Sequence, residues 1–442
     1  MMQEPPRRPQ PQLLRAIGRW SMVALAINSM LGSGIFGLPS AVAALLGRAS
    51  PLAVLLAGGG MAVIVACYAE VASQFTATGG TYLYVQRAFG RLLGVQVGWM
   101  TLLTRLTACA ASINLAVAYL GEFWPQATQP LPRLGVITLL VGALAVVNYR
   151  GVGAGTLMGN FAVIAKLAAL ALVALVGVAW LSTHASVAPP AAPADGDAWL
   201  RAMLLMLFAY GGYEAALNPM GEARDPRRDV AFALFAALAV LIVLYATLQF
   251  VVVGVLAAPA ASARPLADAA RVLMGAPGAA LISAGALISV YGFLSANLLT
   301  VPRSLFALAE HGDFPAAFAA VHARWRTPYV AIAVFALLLW GFAQFASFTW
   351  NVTLSAVART FYYAAVCAAL PVLRRRQPDA AAFRVPGGLT LPVAGIAICV
   401  LLLPRADFSK SLILIATIAV ALMNWAVVRR RAARAAAGRP PP

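Results

Sequence analysis

Apolar residues run through this chain in long blocks, without the one-faced or alternating patterns of a soluble domain. Twelve blocks are read, at about 19–46, 50–75, 93–121, 133–149, 157–181, 198–221, 229–257, 277–307, 328–346, 350–373, 391–405 and 409–429. Most reach the ~17–25 residues that a helix needs to cross ~30 Å of hydrocarbon. The pattern predicts an all-α polytopic membrane protein with 12 transmembrane helices. The connecting loops are too short to hold a sizeable soluble domain. The opening MMQEPPRRPQPQ is polar and Pro-rich and shows no apolar core with a cleavage site, so the first span is expected to serve as the insertion signal.

Two blocks are interrupted. Asn28 to Pro39 reads NSMLGSGIFGLP, with Gly32, Gly34, Gly37 and Pro39 in one stretch. Gly costs ~1 kcal/mol and Pro ~3 kcal/mol relative to Ala in a helix interior. In a bilayer, irregular backbone survives only where protein buries it or where it lines a cavity. Taken alone, Gly32-Ser33-Gly34 fits either an unwound hinge or a small-residue packing seam. The second interruption, Phe208-Ala209-Tyr210-Gly211-Gly212-Tyr213-Glu214 followed by Asn218-Pro219, falls five spans later. Two Gly-interrupted segments in corresponding positions point to an inverted-repeat transporter with a site near the membrane midplane. The expected organisation is a five-plus-five inverted repeat with broken helices 1 and 6. Its parts are a tail 1–18, repeats 19–181 and 198–373, two added helices 391–429, and a tail 430–442.

Composition agrees. Apolar residues make up 62% of the chain and charged ones 10%, against ~45–50% and ~25% in soluble proteins. The net charge of +18 does not mark a nucleic-acid binder, because the basic residues are scattered over loops. Arg7, Arg8, Arg15 and Arg19, then Arg87, Arg91, Arg150, Arg224, Arg227, Arg228, Arg303, Arg324, Arg326, Arg374, Arg375, Arg376 and Arg384, and finally the cluster from Arg429, all fall in every second loop and so on one side of the membrane, while the other loops and their edges hold far fewer: Arg48, Arg133, Arg201, Arg264, Arg271, Arg405 and Lys410. The positive-inside rule places both termini in the cytoplasm and the protein in the cell (inner) membrane. Cys67, Cys109, Cys367 and Cys399 lie in apolar spans at no metal-site spacing, so neither a metal nor a cofactor is expected.

The motifs then give a resemblance. Gly32-Ser33-Gly34-Ile35-Phe36, Tyr68-Ala69-Glu70, Gly79-Gly80-Thr81-Tyr82, Ala88-Phe89-Gly90, Gly98-Trp99, Asn148-Tyr149-Arg150-Gly151, Gly212-Tyr213-Glu214, Gly221-Glu222-Ala223-Arg224-Asp225-Pro226, Pro302-Arg303, Glu310-His311-Gly312-Asp313-Phe314-Pro315 and Thr327-Pro328 occur in that order. The chain resembles the amino acid–polyamine–organocation (APC) superfamily, and among its members the bacterial amino acid permeases. The resemblance implies the same inverted repeat.

A zwitterion needs opposite partners at its two ends, and a broken helix supplies both. Free N–H groups at Ser33, Gly34 and Ile35 are expected to hold the carboxylate. Carbonyls at Met30 and Leu31, with those near Phe208 and Gly211, are expected to hold the ammonium. The resemblance implies the same roles at these positions, and an aromatic gate at Phe208. Side-chain liners are expected at Phe208, Tyr210, Ala108, Ser112 and Asn297.

Lys166 lies deep in the fifth span, where an ionisable residue points to function. By resemblance its ammonium takes the place of the sodium ion found in relatives of this fold. Its proton would load and leave with conformational change, with Ile27, Met30 and Ser289 as expected neighbours. Glu214 is the second candidate for proton coupling. Glu70 reads as a partner of loop arginines. Arg105 and Arg359 are mid-span, depart from the family pattern, and each needs an acceptor. Arg105 could pair with Glu214 or restrict the substrate. Carboxylates are scarce in the spans, which disfavours a cationic amino acid or polyamine.

The expected function is a proton-coupled amino acid permease for neutral L-amino acids, working by alternating access, with the substrate, protons and the lipid bilayer as partners. The alternative is an amino acid exchanger without proton coupling. An enzyme is not expected: HExxH and GxSxG do not occur, and His184, His311 and His322 fall in loops. A receptor that binds without translocating is the third class.

Overall fold

The computed structural model describes residues 18–75, 79–151, 156–187, 194–217, 224–405 and 407–437. Among them every regular element is helical. The α-helices are α1 (Arg19–Met30), α2 (Gly34–Leu46), α3 (Ser50–Ser73), α4 (Gly80–Phe89), α5 (Arg91–Leu120), α6 (Pro130–Arg150) and α7 (Thr156–Thr183). They continue with α8 (Gly196–Tyr210), α9 (Pro226–Val255), α10 (Pro265–Glu310), α11 (Tyr329–Phe345), α12 (Phe348–Arg376), α13 (Thr390–Leu402) and α14 (Phe408–Ala437). Eight stretches of the described residues are long and apolar enough to cross a membrane, and α11 and α13 are shorter apolar helices. The chain is a multi-pass helical membrane protein. Asn218, Pro219 and Gly221 to Ala223 lie outside the described residues.

Boundaries follow local chemistry. Asp195 caps α8 by accepting from Ala198 N at 2.8 Å, and Ser347 caps α12 by accepting from Trp350 N. Proline opens α6, α9 and α10, where its missing N–H has no intrahelical partner to lose. The sequence reading left 80–89 between spans, yet it folds as the separate helix α4. The eighth span extends back to Pro265, with a turn at Gly275 (φ 72°).

The buried centre is formed by α3, α5, α8, α9 and α12. α6 and α14 lie outside it. Leu131, Leu139 and Met423 are well exposed, as befits an apolar surface facing lipid rather than water.

Ion pairs lie at both ends of the bundle: Arg264 and Arg271 meet Glu122 and Lys410 meets Asp407 at one, and a second set lies at the other. Glu70 receives both Arg374 Nε and Nη2 at 2.6 Å, and Val385 N at 2.7 Å. Asp313 receives Arg91 and Tyr82, and Arg19 Nε meets Asp229 at 2.8 Å. At the opposite end a cavity of about 590 Å³ opens between α2, α5, α8 and α12.

Candidate functional site

Both interruptions are breaks in the backbone, and they cross each other. α1 stops at Met30, and α2 starts at Gly34. α8 stops at Tyr210 and is followed by a single helical turn, Tyr213–Ala215. A Cβ on Gly34 would lie 2.9 Å from Ala209 Cα. A Cβ on Gly212 would lie 2.3 Å from the Ser29 carbonyl oxygen. So α2 begins against the last turn of α8, and the second break rests on the last turn of α1. Gly212 also has φ 111°, a conformation that favours glycine.

At the first break, Leu31 N donates to Ile27 O at 2.8 Å and Gly32 N to Met30 O at 2.9 Å. The N–H groups that open α2 have no carbonyl one turn earlier in their own helix, and no side chain caps this end. The positive end of the helix dipole therefore faces the break. Ser112 Oγ on α5 lies 2.8 Å from both Ala108 O and Ser33 Oγ. The Ser112 hydroxyl is the donor, placed between the carbonyl of its own helix and Ser33 Oγ, and α5 is tied to the break.

Lys166 reaches in from α7. Its ammonium donates to Leu31 O and to Asn28 Oδ1, both at 2.9 Å, and the residue is 6% exposed. These acceptors are neutral amides. Tyr245 OH donates to Met30 O at 3.3 Å. The two carbonyls expected to receive a substrate ammonium are thus already engaged. Leu31 O retains a lone pair, while Met30 O accepts from both Gly32 N and Tyr245.

The second break satisfies its own amide. Glu214 Oε2 accepts from Gly212 N at 2.9 Å, Tyr362 OH donates to Oε1 at 2.9 Å, and Tyr363 OH lies 3.4 Å from Oε2. The rings of Tyr68, Tyr213 and Tyr363 pack against one another with centroids 5.1–5.6 Å apart. Arg359, one turn before these tyrosines on α12, is buried with Nη2 3.9 Å from Glu214 Oε1. Its Cζ lies 5.8 Å from the Phe208 ring centroid. A Cβ on Gly211 would fall 1.2 Å from Nη1, so the guanidinium fills the space that a side chain at 211 would take.

Of the expected site residues, the structure gathers Met30, Leu31, Ser33, Gly34, Ile35, Phe208, Gly211 and Glu214 around the crossing, with Lys166 behind it. It places Tyr210 elsewhere: its hydroxyl donates to Val54 O on α3 at 3.0 Å and its ring stacks on Tyr245. Asn297 is buried in α10 and bonds its own helix at Phe293 O. Ser289 Oγ is buried without a hydrogen-bond partner, and Ile27 O receives Leu31 N; Lys166 bonds neither. Four participants were missed: Asn28, Tyr245, Tyr362 and Tyr363. The last two had a readable signal, since they follow Arg359 by three and four residues and so share its face.

The cavity ends one helical turn short of the break. Gly37, Leu115 and Phe348 line it, and a Cβ on Gly37 would lie 2.5 Å from Phe348 Cζ. The crossing is closed from that side by the Phe348 ring and from the other by the tyrosines and the ion pairs beyond them.

Comparison with known proteins now bears on this geometry. The sequence model described as amino acid permease matches residues 17–426. The chain is 26% identical over 410 residues to the methylthioribose transporter of Bacillus subtilis (strain 168), covering 88% of this chain and 87% of the other. It is 28% identical to the serine/threonine exchanger SteT of the same organism, covering 73% and 74%. It is 24% identical to the branched-chain amino acid permease BcaP, also of that organism, covering 88% of each.

Proposed function

The chain belongs to the amino acid permease family of the APC superfamily, and we propose that it moves an L-amino acid across the cell (inner) membrane by proton-coupled alternating access. That membership makes it a transporter and not an enzyme. The observation that carries the finer reading is the crossing of the breaks, which leaves the uncapped N-terminus of α2 beside a bonded set of carbonyls at the end of α1. The α-carboxylate sits on the N–H groups of Ser33, Gly34 and Ile35. The α-ammonium takes the free lone pair of Leu31 O and carbonyls near Phe208 and Gly211. This capture uses only the two ends common to every amino acid.

Twelve crossings follow if α1–α2 count as one broken helix and α8 with its following turn as another. The two repeats are then 19–181 and 198–373, with 391–429 added and both termini cytoplasmic. The moving parts are α1, α2, α3, α8 and α9 against α5, α6, α10 and α11. In support, α1 packs on α9, α2 on α8, and α3 on both α8 and α9, while α5, α6, α10 and α11 pack among themselves. Glu70, Arg374, Asp313 and Arg91 form the cytoplasmic closure, and the cavity faces outside.

Lys166 couples the proton. Its ammonium bridges α7 to the carbonyl end of α1, with no carboxylate partner among the described residues. Loss of the proton removes both charge-assisted bonds and releases α1 from α7. In proteoliposomes, a gradient with acid outside should speed uptake of a labelled amino acid. Lys166→Ala should abolish that acceleration and leave counterflow exchange in place. Acceleration that survives in the variant removes Lys166 from the coupling and favours the exchanger reading, which the likeness to SteT supports.

A further inference from the structure

Resting on the amino acid reading above, we propose that the substrate's side chain carries a carboxylate, read by Arg359 with Arg105 behind it, so that the protein is a permease for acidic amino acids. Glu214 is the carboxylate paired with Arg359, and Arg105 lies two helical turns before Ser112 on α5, on the face that reaches the first break. Among the described residues two mid-span guanidiniums thus accompany one paired carboxylate, and Lys166 faces neutral amides. A zwitterion with a neutral side chain leaves that excess positive charge unbalanced in a low-dielectric setting. A side-chain carboxylate balances it.

Hydrogen bonding gives the same answer independently. Glu214 spends its oxygens on Gly212 N, Tyr362 and Tyr363, and its approach to Arg359 at 3.9 Å is too long for a hydrogen bond. Arg359 is 3% exposed, and its Nε and Nη1 have no hydrogen-bond partner. Buried donors of this kind are costly unless something fills them. Nε and Nη1 each share an edge of the guanidinium with Nη2, and either edge can take a carboxylate.

The position also fits. Nη1 lies against Gly211, and the start of α2 lies against Ala209. Phe208 lies between the two: a Cβ on Gly34 would lie 3.4 Å from its ring, and Arg359 Cζ lies 5.8 Å from the centroid of the same ring, so the seat for the α-carboxylate and the guanidinium flank one side chain. Phe208 packs beside the guanidinium and excludes water from it.

Thermal stabilisation of purified protein by L-glutamate, L-aspartate, L-glutamine, L-asparagine, L-serine and L-leucine at neutral pH tests this. An acidic amino acid should bind at least about tenfold more tightly than its amide, the factor that ~1.4 kcal/mol of charge-assisted bonding represents. Arg359→Gln should bring the acid-to-amide ratio close to one while amide binding persists, a result that loss of a merely structural arginine would not give. If that variant fails to fold, Arg359→Lys and Arg105→Gln should each lower the same ratio. Amides or other neutral amino acids binding as tightly as the acids overturn the proposal and leave the permease reading standing. Stabilisation by none of the six overturns both.

Discussion

The two breaks have the same backbone logic and opposite electrical fillings. At the first, the helix ends meet groups from other elements: Lys166 from α7 and Tyr245 from α9 on the carbonyl side, Ser112 from α5 on the amide side. Among the described residues no side chain caps the N–H groups that open α2. At the second, the chain closes its own amide with Glu214, two residues on, and anchors that carboxylate to two tyrosines of α12. On the proposed reading, a substrate carboxylate docks at the first break and not at the second. The first break is built to be completed by something mobile, and the second is completed in advance.

Substitutions can break that contrast or sharpen it. The largest effect is expected at Gly212. Alanine there must adopt φ 111° and push a methyl group to within 2.3 Å of Ser29 O, so the crossing cannot close. Gly212→Ala should lower the yield of monodisperse protein on size exclusion and abolish uptake; a normal melting temperature would show that the breaks do not meet as described. Next comes Glu214→Gln. It leaves Arg359 buried beside a neutral amide, and removing one partner of a buried pair costs ~3–5 kcal/mol. The melting temperature should fall markedly, and Glu214→Gln with Arg359→Gln should recover part of the loss. If the single variant melts like the parent, the second break does not depend on its carboxylate. The smallest effect is expected at Tyr210→Phe, which removes one hydrogen bond to Val54 O, worth ~1 kcal/mol. Stability should fall slightly, with the apparent substrate affinity unchanged. A shift in affinity would return Tyr210 to the site.

The sequence exposed the breaks because the bilayer allows few reasons for glycine clusters in mid-span, and Gly32–Gly34 and Gly211–Gly212 have such reasons. It exposed Lys166 because an isolated cation at that depth demands acceptors. It also anticipated a cationic partner for Glu70, found in Arg374. It could not show which carbonyls Lys166 uses, since that depends on how α7 is rotated against α1. Tyr210 was misdirected for a similar reason: adjacent residues on a helix point ~100° apart, so Ala209 faces α2 while Tyr210 faces α3 and α9. Arg359 was visible as an oddity, but its seat on Gly211 arises from two residues far apart in sequence.

The Phe348 ring over Gly37 gives the transport cycle an uneven rhythm. To admit a molecule from the cavity, one phenyl group must swing aside, and ring and rotamer motions of that size take nanoseconds to microseconds. At the opposite end, Glu70–Arg374, Arg91–Asp313 and Arg19–Asp229 must all separate along with the stacked tyrosines, a collective motion on the microsecond-to-millisecond scale or slower. On the proposed orientation, molecules enter and leave the outer vestibule many times for each passage through the protein. Turnover is then set at the Glu70–Arg374 end, and enlarging or shrinking the side chain at 348 should alter how readily substrate is sampled without changing the maximal rate.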